Sequence, residues 1–277
     1  MDSNLLQKSV SIVPWTLRRY IKHIPLIAPL QRWIVNYLLR NNQFVYTINA
    51  GPARGLHYPV HLPEDKQIWT GTYEVEFSIL LANAVKPGDV CYDIGGFRGF
   101  FSGVLALAGA KQVCIFEPFP ENCQQIQAVI DANPGLSALK LHEMALGEQS
   151  GNVEFLVMPE SSMGKLASSS FQLEVQEQKK ISVPIESIDE LIKVGSLKIP
   201  NLIKIDVEGA ELSVLKGAFH TLKKAKPILF IEIHSRELSR DCYEFLKTFD
   251  YSSIIVLETN KKPDFITEPE VCHFIVE

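Results

Sequence analysis

Short apolar runs separated by longer mixed stretches organise most of this chain. The runs at 89–94, 112–117, 139–146, 202–207 and 227–233 are rich in β-branched residues and too short to be helices of their own. Helical stretches or longer connections lie between them. Strands alternating with helices argue a parallel sheet covered on both faces. A helix at about 236–248 precedes two last runs, 251–258 and 271–277, with Asn260-Lys261-Lys262-Pro263-Asp264 in the connection. That link is too short for a helical crossover, so these two should pair antiparallel. The pattern predicts an α/β fold: a Rossmann-like seven-strand sheet of five parallel strands plus a C-terminal antiparallel hairpin, with helices on both faces.

Upstream, residues 14–41 read as two helical pieces separated near Pro25 and Pro29, and Leu30, Trp33, Ile34, Tyr37 and Leu38 recur at helical spacing in the second. Such an amphipathic helix suits either an anionic lipid surface or a packed lid or dimer contact. Tyr46-Thr47-Ile48 and Gly55-Leu56-His57-Tyr58 resemble a hairpin entering the main domain, and Tyr73-Glu74-Val75-Glu76 opens a helix that Lys86-Pro87-Gly88-Asp89 stops. The expected division is a basic helical extension and hairpin over 1–60 and a main domain over 61–277. Between the third and fourth strands an insertion carries extra strands at Gly151–Val157 and Lys180–Ile185 around a Ser-rich loop, Ser161 to Ser170, in which Ser168 and Ser169 could meet a ligand.

Charge changes the picture at one end only. The net charge is −5, yet residues 1–63 carry +6 and leave −11 for the rest, which suggests a docking surface at the amino end. No basic face for nucleic acid is evident in the body. The five cysteines form no C-x-x-C pair, which points to a reducing compartment. The longest apolar run near the amino end, Ile24 to Leu30, is broken by two prolines and falls far short of the ~20 residues of a membrane span. No secretory pattern is present, and the expectation is a cytoplasmic protein, with peripheral membrane contact through its first segment as the alternative to a packed helix.

The most specific chemistry lies at the strand ends. Asp93-Ile94-Gly95-Gly96-Phe97-Arg98-Gly99 places an acid and a glycine turn before a helix beginning near Gly99, and Phe116-Glu117-Pro118 ends the next run. The glycines let backbone approach a ligand, and the second acid can accept hydrogen bonds from both ribose hydroxyls, so the arrangement binds a nucleoside. The dinucleotide fingerprint G-x-G-x-x-G is absent, and a nicotinamide-binding sheet would continue with a sixth parallel strand instead of the hairpin. Leu202-Ile203-Lys204-Ile205-Asp206-Val207-Glu208 puts three charges on one side of a strand by alternation. Buried charges are costly unless paired, so they should gather where the strand emerges. Glu232-Ile233-His234 ends the fifth strand in the same way.

These motifs, with Asn122, Ala145-Leu146-Gly147, Gly209-Ala210-Glu211 and Leu215-Lys216-Gly217-Ala218 in order, resemble the FkbM family of methyltransferases across about residues 50–260. The resemblance implies S-adenosylmethionine as cofactor and O-methylation of a hydroxyl on a sugar, polyketide or related metabolite. Cofactor contacts are then expected from Asp93, Gly95, Gly96, Phe97, Gly99, Glu117, Pro118, Ala145 and Asp206. For the base that removes the hydroxyl proton, His234 or Asp206 is expected, with Glu208 and Glu232 orienting it or the acceptor. Asp206, Glu232 and His234 could alternatively hold a divalent cation; the favoured reading assigns no metal. Where the family turn reads D-x-G-A-N-x-G, this chain has Gly96-Phe97. That departure keeps open a non-catalytic adaptor docking through its basic amino end, while an NAD-dependent oxidoreductase is a weaker rival. The expected partner is a small-molecule hydroxyl acceptor, with a homodimer as a further expectation.

Overall fold

The computed structural model describes residues 42–62, 65–157, 164–166, 179–265 and 269–277. The expected helices over 14–41 and Ser168 and Ser169 lie outside the described residues. Strands β1 (Asn42–Thr47) and β2 (His57–Leu62) form the expected antiparallel hairpin. The boundary expected at residue 60 falls inside β2, whose Tyr58, Val60 and Leu62 are buried in the same core as Leu81 and Val104. Helices α1 (Lys66–Thr70) and α2 (Val75–Ala84) lead to β3 (Val90–Ile94).

The main sheet alternates from there. Helix α3 (Phe100–Leu107), β4 (Gln112–Phe116), α4 (Pro120–Ala132) and β5 (Leu139–His142) follow in turn. An inserted four-stranded sheet contains β6 (Ala145–Leu146), β7 (Gly151–Val157), β8 (Gly164–Leu166) and β9 (Lys179–Glu186). After α5 (Ile188–Lys193) come β10 (Leu202–Ile205), α6 (Glu211–Gly217), α7 (Phe219–Ala225), β11 (Ile228–Ile233) and α8 (Arg236–Leu246). The chain ends with β12 (Ile254–Val256) and β13 (Cys272–Val276). The seven-strand order is β12-β13-β11-β10-β3-β4-β5, with β5, β4, β3, β10 and β11 parallel and β13 antiparallel to both its neighbours.

Strand alternation divides the interior into two layers. Cys91, Val113, Ile115, Leu202 and Phe230 face α2, α3 and the hairpin, while Tyr92, Cys114, Ile203, Leu229 and Ile231 face α6, α7 and α8. Both faces are therefore dry, which is why the strands read as unbroken apolar runs. All five cysteines are free and buried. Among the described residues no helix is long and apolar enough to cross a membrane.

Two expected runs break earlier than the pattern implied. The run 139–146 is two elements: after His142 the exposed Glu143 and a tight turn, Met144 N–H to His142 carbonyl at 2.9 Å, carry Ala145–Leu146 out to pair with β9. The run 202–207 stops at Ile205, and Glu208 takes a left-handed backbone with φ 52°. Asp206 and Glu208 are thus loop residues at the sheet edge, where carboxylates can reach partners that a strand interior would deny them.

The turn after β3 is built for close approach. Gly95 has φ 75°, and a Cβ there would lie 1.7 Å from the main-chain oxygen of Asp206. Gly95→Ala should therefore combine left-handed strain with a backbone clash and lower stability by on the order of 3 kcal/mol in urea unfolding. Gly135→Ala, where a Cβ meets nothing within 4 Å, should stay within about 0.5 kcal/mol of wild type.

Candidate active site

Lys204 joins the two central strand ends. Parallel register sets it beside Asp93, and its ammonium lies 3.2 Å from Asp93 Oδ1 and 3.4 Å from Asp206 Oδ2 while donating to the Gly95 carbonyl at 2.8 Å. Burial alone would lower its pKa, but Asp93 and Asp206 more than offset that and hold it above the usual lysine value. Asp93 is fully buried, and its other oxygen accepts from the Ser102 hydroxyl at 2.5 Å. It acts on the glycine turn by holding Lys204.

Glu117 stands across this turn at the end of β4. Its carboxylate accepts the Phe97 N–H at 2.9 Å and the Phe119 N–H at 3.0 Å. Burial pushes its pKa up to about 7 despite those bonds and one from Asn122. Gly95 and Gly96 both donate to the Phe116 carbonyl, and a Cβ on Gly96 would strike Ile115. Gly99, at φ 80°, caps α3. Phe97 is half-buried at φ 50°, a conformation that bulky residues seldom adopt. Its neighbour Arg98 is locked to Asp65 at 2.8 Å and accepts the Tyr58 hydroxyl on its carbonyl, so the hairpin braces the turn. Pro118 is half-buried, and Ala145 is buried in the same apolar cluster as Phe119. The residues here can take a nucleoside: Glu117 keeps acceptor capacity beyond its three donors, Phe97 N–H, Phe119 N–H and Asn122, beside a turn that its glycines hold tight against Asp206 and Ile115.

The second group gathers around His234. Its Nδ1 is 2.6 Å from Glu211 Oε1, and its Nε2 lies 3.5 Å from Glu208, 3.7 Å from Asp206 and 3.8 Å from Glu232. Burial would lower the imidazole pKa, but Glu211, Asp206 and Glu208 push it up to about 9. Burial and the crowding of Asp206 and Glu232 push Glu208 up to about 7, against the pull of His234. Burial likewise raises Asp206. One donor atom from each of Asp206, Glu232 and His234 lies within 4.8 Å of the others, a spacing that one divalent ion could span. The four residues expected to do chemistry, His234, Asp206, Glu208 and Glu232, are all brought together here.

Three further residues enter that the motif reading did not assign. Glu211 begins α6 with no exposure at all. His273 faces Glu232 because antiparallel register pairs those two positions, and it lies 3.6 Å from Glu232 and 2.6 Å from Glu258. Those carboxylates push the His273 pKa up to about 10 against burial. Burial would raise Glu232, but the His273 contact holds it below its ordinary value. The signal for His273 was one polar residue inside the last apolar run; the partner it meets was not readable.

Residues 93–260 match the family model of the methyltransferase FkbM domain. The chain is 28% identical over 187 residues to a hexuronic acid methyltransferase, AglP, of Haloferax volcanii, covering 68% of this chain and 73% of that protein. It is 26% identical over 170 residues to the 2-O-methyltransferase NoeI of Sinorhizobium fredii, covering 55% of this chain and 66% of that one. Among solved structures, a methyltransferase FkbM from Methylobacillus flagellatus superposes with a TM-score of 0.48 at 22% identity, over 68% of this chain and 43% of that chain. The matched stretch takes in the glycine turn, Glu117 and the His234 cluster and exceeds half of the sequence, so the chain belongs to the FkbM family of methyltransferases.

Proposed function

We propose that this methyltransferase uses S-adenosylmethionine to methylate a hydroxyl oxygen on a sugar or related polyhydroxylated metabolite, with His234 as the base. The observation that carries the reading is the contact between the two half-sites: the Gly95 turn lies directly against the Asp206 backbone, one residue position from the carboxylates around His234 Nε2. One relative is named for a hexuronic acid and another for a 2-oxygen. Brought to this chain, those names favour a sugar hydroxyl over a polyketide one.

When bound, S-adenosylmethionine supplies a methyl carbon already electrophilic on its sulfonium, so that an O–CH₃ bond forms as the S–CH₃ bond breaks with its electron pair left on sulfur. Removing the hydroxyl proton falls to the protein. His234 Nε2 takes that proton, and Asp206, Glu208 and Glu232, each part-exposed at the same opening, accept hydrogen bonds from neighbouring acceptor hydroxyls and align the reacting one. On the cofactor side Glu117 accepts the ribose hydroxyls, and the Gly95–Gly99 turn, whose Gly95, Gly96, Phe97 and Gly99 N–H groups are bonded within the protein, forms the floor beside the amino-acid part near the start of α3. Gly96, Phe97, Pro118 and Ala145 shape the walls of that cradle.

Two outcomes are expected. In calorimetry with S-adenosylhomocysteine, Glu117→Ala should weaken binding at least ~10-fold, as expected for losing charge-assisted hydrogen bonds; binding equal to wild type, or binding of NAD instead, would remove the cofactor assignment. Because a base works only when neutral, and His234 sits at about 9, turnover should climb with pH and level off above that value. His234→Ala should lose ~10²–10⁴-fold in kcat with cofactor affinity kept. A flat pH profile together with an active His234→Ala would sink the base assignment.

A further inference from the structure

We propose that Glu211 is the positioning residue of this site, holding His234 in the tautomer that carries its hydrogen on Nδ1 and presents the Nε2 lone pair to the acceptor. The inference rests on the reading of His234 as the base and goes beyond it by naming what makes the ring a base on the correct side.

Glu211 is completely buried, and its Oε1 accepts the Gly209 N–H at 2.9 Å, so the carboxylate is anchored by the loop that leads into its own helix. The same oxygen lies 2.6 Å from His234 Nδ1. A carboxylate only accepts hydrogen bonds, so at that distance the ring nitrogen must be the donor. The neutral ring therefore keeps its hydrogen on Nδ1.

Electrostatics at the other end of the ring makes this necessary. Nε2 faces Glu208 and Asp206 from the β10–α6 loop and Glu232 from β11, at 3.5–3.8 Å. Each of these carboxylates favours a hydrogen on Nε2. Behind them Lys204 on β10 neutralises part of Asp206, and His273 on β13 neutralises part of Glu232. Left to those neighbours, the neutral imidazole would carry its hydrogen toward the opening and have no lone pair there. Glu211 is shorter in contact and free of water competition, and it reverses that preference. After proton transfer the imidazolium holds one hydrogen on each nitrogen, and the Nδ1 hydrogen stays on the Glu211 bond throughout.

The sequence is consistent with a dedicated role. A fully buried glutamate at the first position of α6 is costly to desolvate, and the second oxygen of Glu211 has no hydrogen-bond partner. An apolar residue would pack there at lower cost. A buried carboxylate kept on an imidazole fits an orienting duty, as second-layer carboxylates commonly perform for catalytic and metal-binding histidines.

The test uses the full chain. Nitrogen-15 NMR of the imidazoles, with His234→Ala to assign the signals, reads the tautomer directly once the ring is made neutral at alkaline pH; the Nδ1–H form is expected in wild type. Glu211→Leu, which removes the acceptor at Nδ1 while filling similar space, should convert the ring to the Nε2–H form. It should also lower kcat by at least ~100-fold while KM and S-adenosylhomocysteine affinity stay within about threefold, the pattern of a lost orientation rather than lost binding. An Nε2–H form in wild type overturns the proposal, whether or not Glu211→Leu folds. So does a Glu211→Leu enzyme that turns over within about threefold of wild type while His234→Ala is dead. If His234→Ala itself turns over normally, the base reading falls, and this inference falls with it for that separate reason.

Discussion

The carboxyl edge of this sheet depends on one buried ammonium. Lys204 is the cation shared by Asp93 and Asp206, and it reaches across to the Gly95 carbonyl. Without it the buried Asp93 and the part-exposed Asp206 would face each other with no cation between them. Removing one partner of a buried ion pair typically costs 3–5 kcal/mol, because a lone charge is left behind. Its place in the register explains much else: the strand that supplies Lys204 ends one residue later, so Asp206 can turn outward while its backbone closes on Gly95. The glycine turn and the carboxylates around His234 are therefore not two groups that happen to be near. They are the two sides of the same ion pair.

The layered fold was legible because its physics is local. Strands covered on both faces leave unbroken apolar runs, and a polar link that shows no helical pattern favours an antiparallel return. The ends of those runs were less legible. Nothing in Leu139 to Leu146 marks that the chain leaves the sheet at Glu143, except that His142 and Glu143 are polar in succession. Nothing in Asp206-Val207-Glu208 shows that Glu208 has turned left-handed. Strand alternation put these acids together for a reason that the loop geometry replaces with another: they converge because they all satisfy one imidazole.

The same contrast holds for the site. His234, Asp206, Glu208 and Glu232 could be named because strand ends concentrate charge. Glu211 and His273 could not, because each acts through a partner fixed by tertiary packing. Glu211 is a helix-start acid, a position where acids are common for reasons unrelated to catalysis. His273 meets Glu232 only through the exact pairing of a terminal strand whose register depends on the preceding loop. Phe97 is the opposite case, visible in the sequence as a departure yet silent about its consequence. In the fold its N–H binds Glu117, so the side chain that replaced the amide leaves the backbone contact in place.

The crowding around His234 carries a tension that the proposed chemistry must resolve. Carboxylates that raise an imidazole to about 9 make it a strong proton acceptor when neutral, yet leave only about one ring in a hundred neutral at pH 7. Strength and availability oppose each other, and base catalysis is best when the two are balanced near the working pH. Glu211, sealed behind the ring, holds Nδ1 whichever way that balance falls, because its contact with the imidazole is buried away from the part-exposed carboxylates at Nε2.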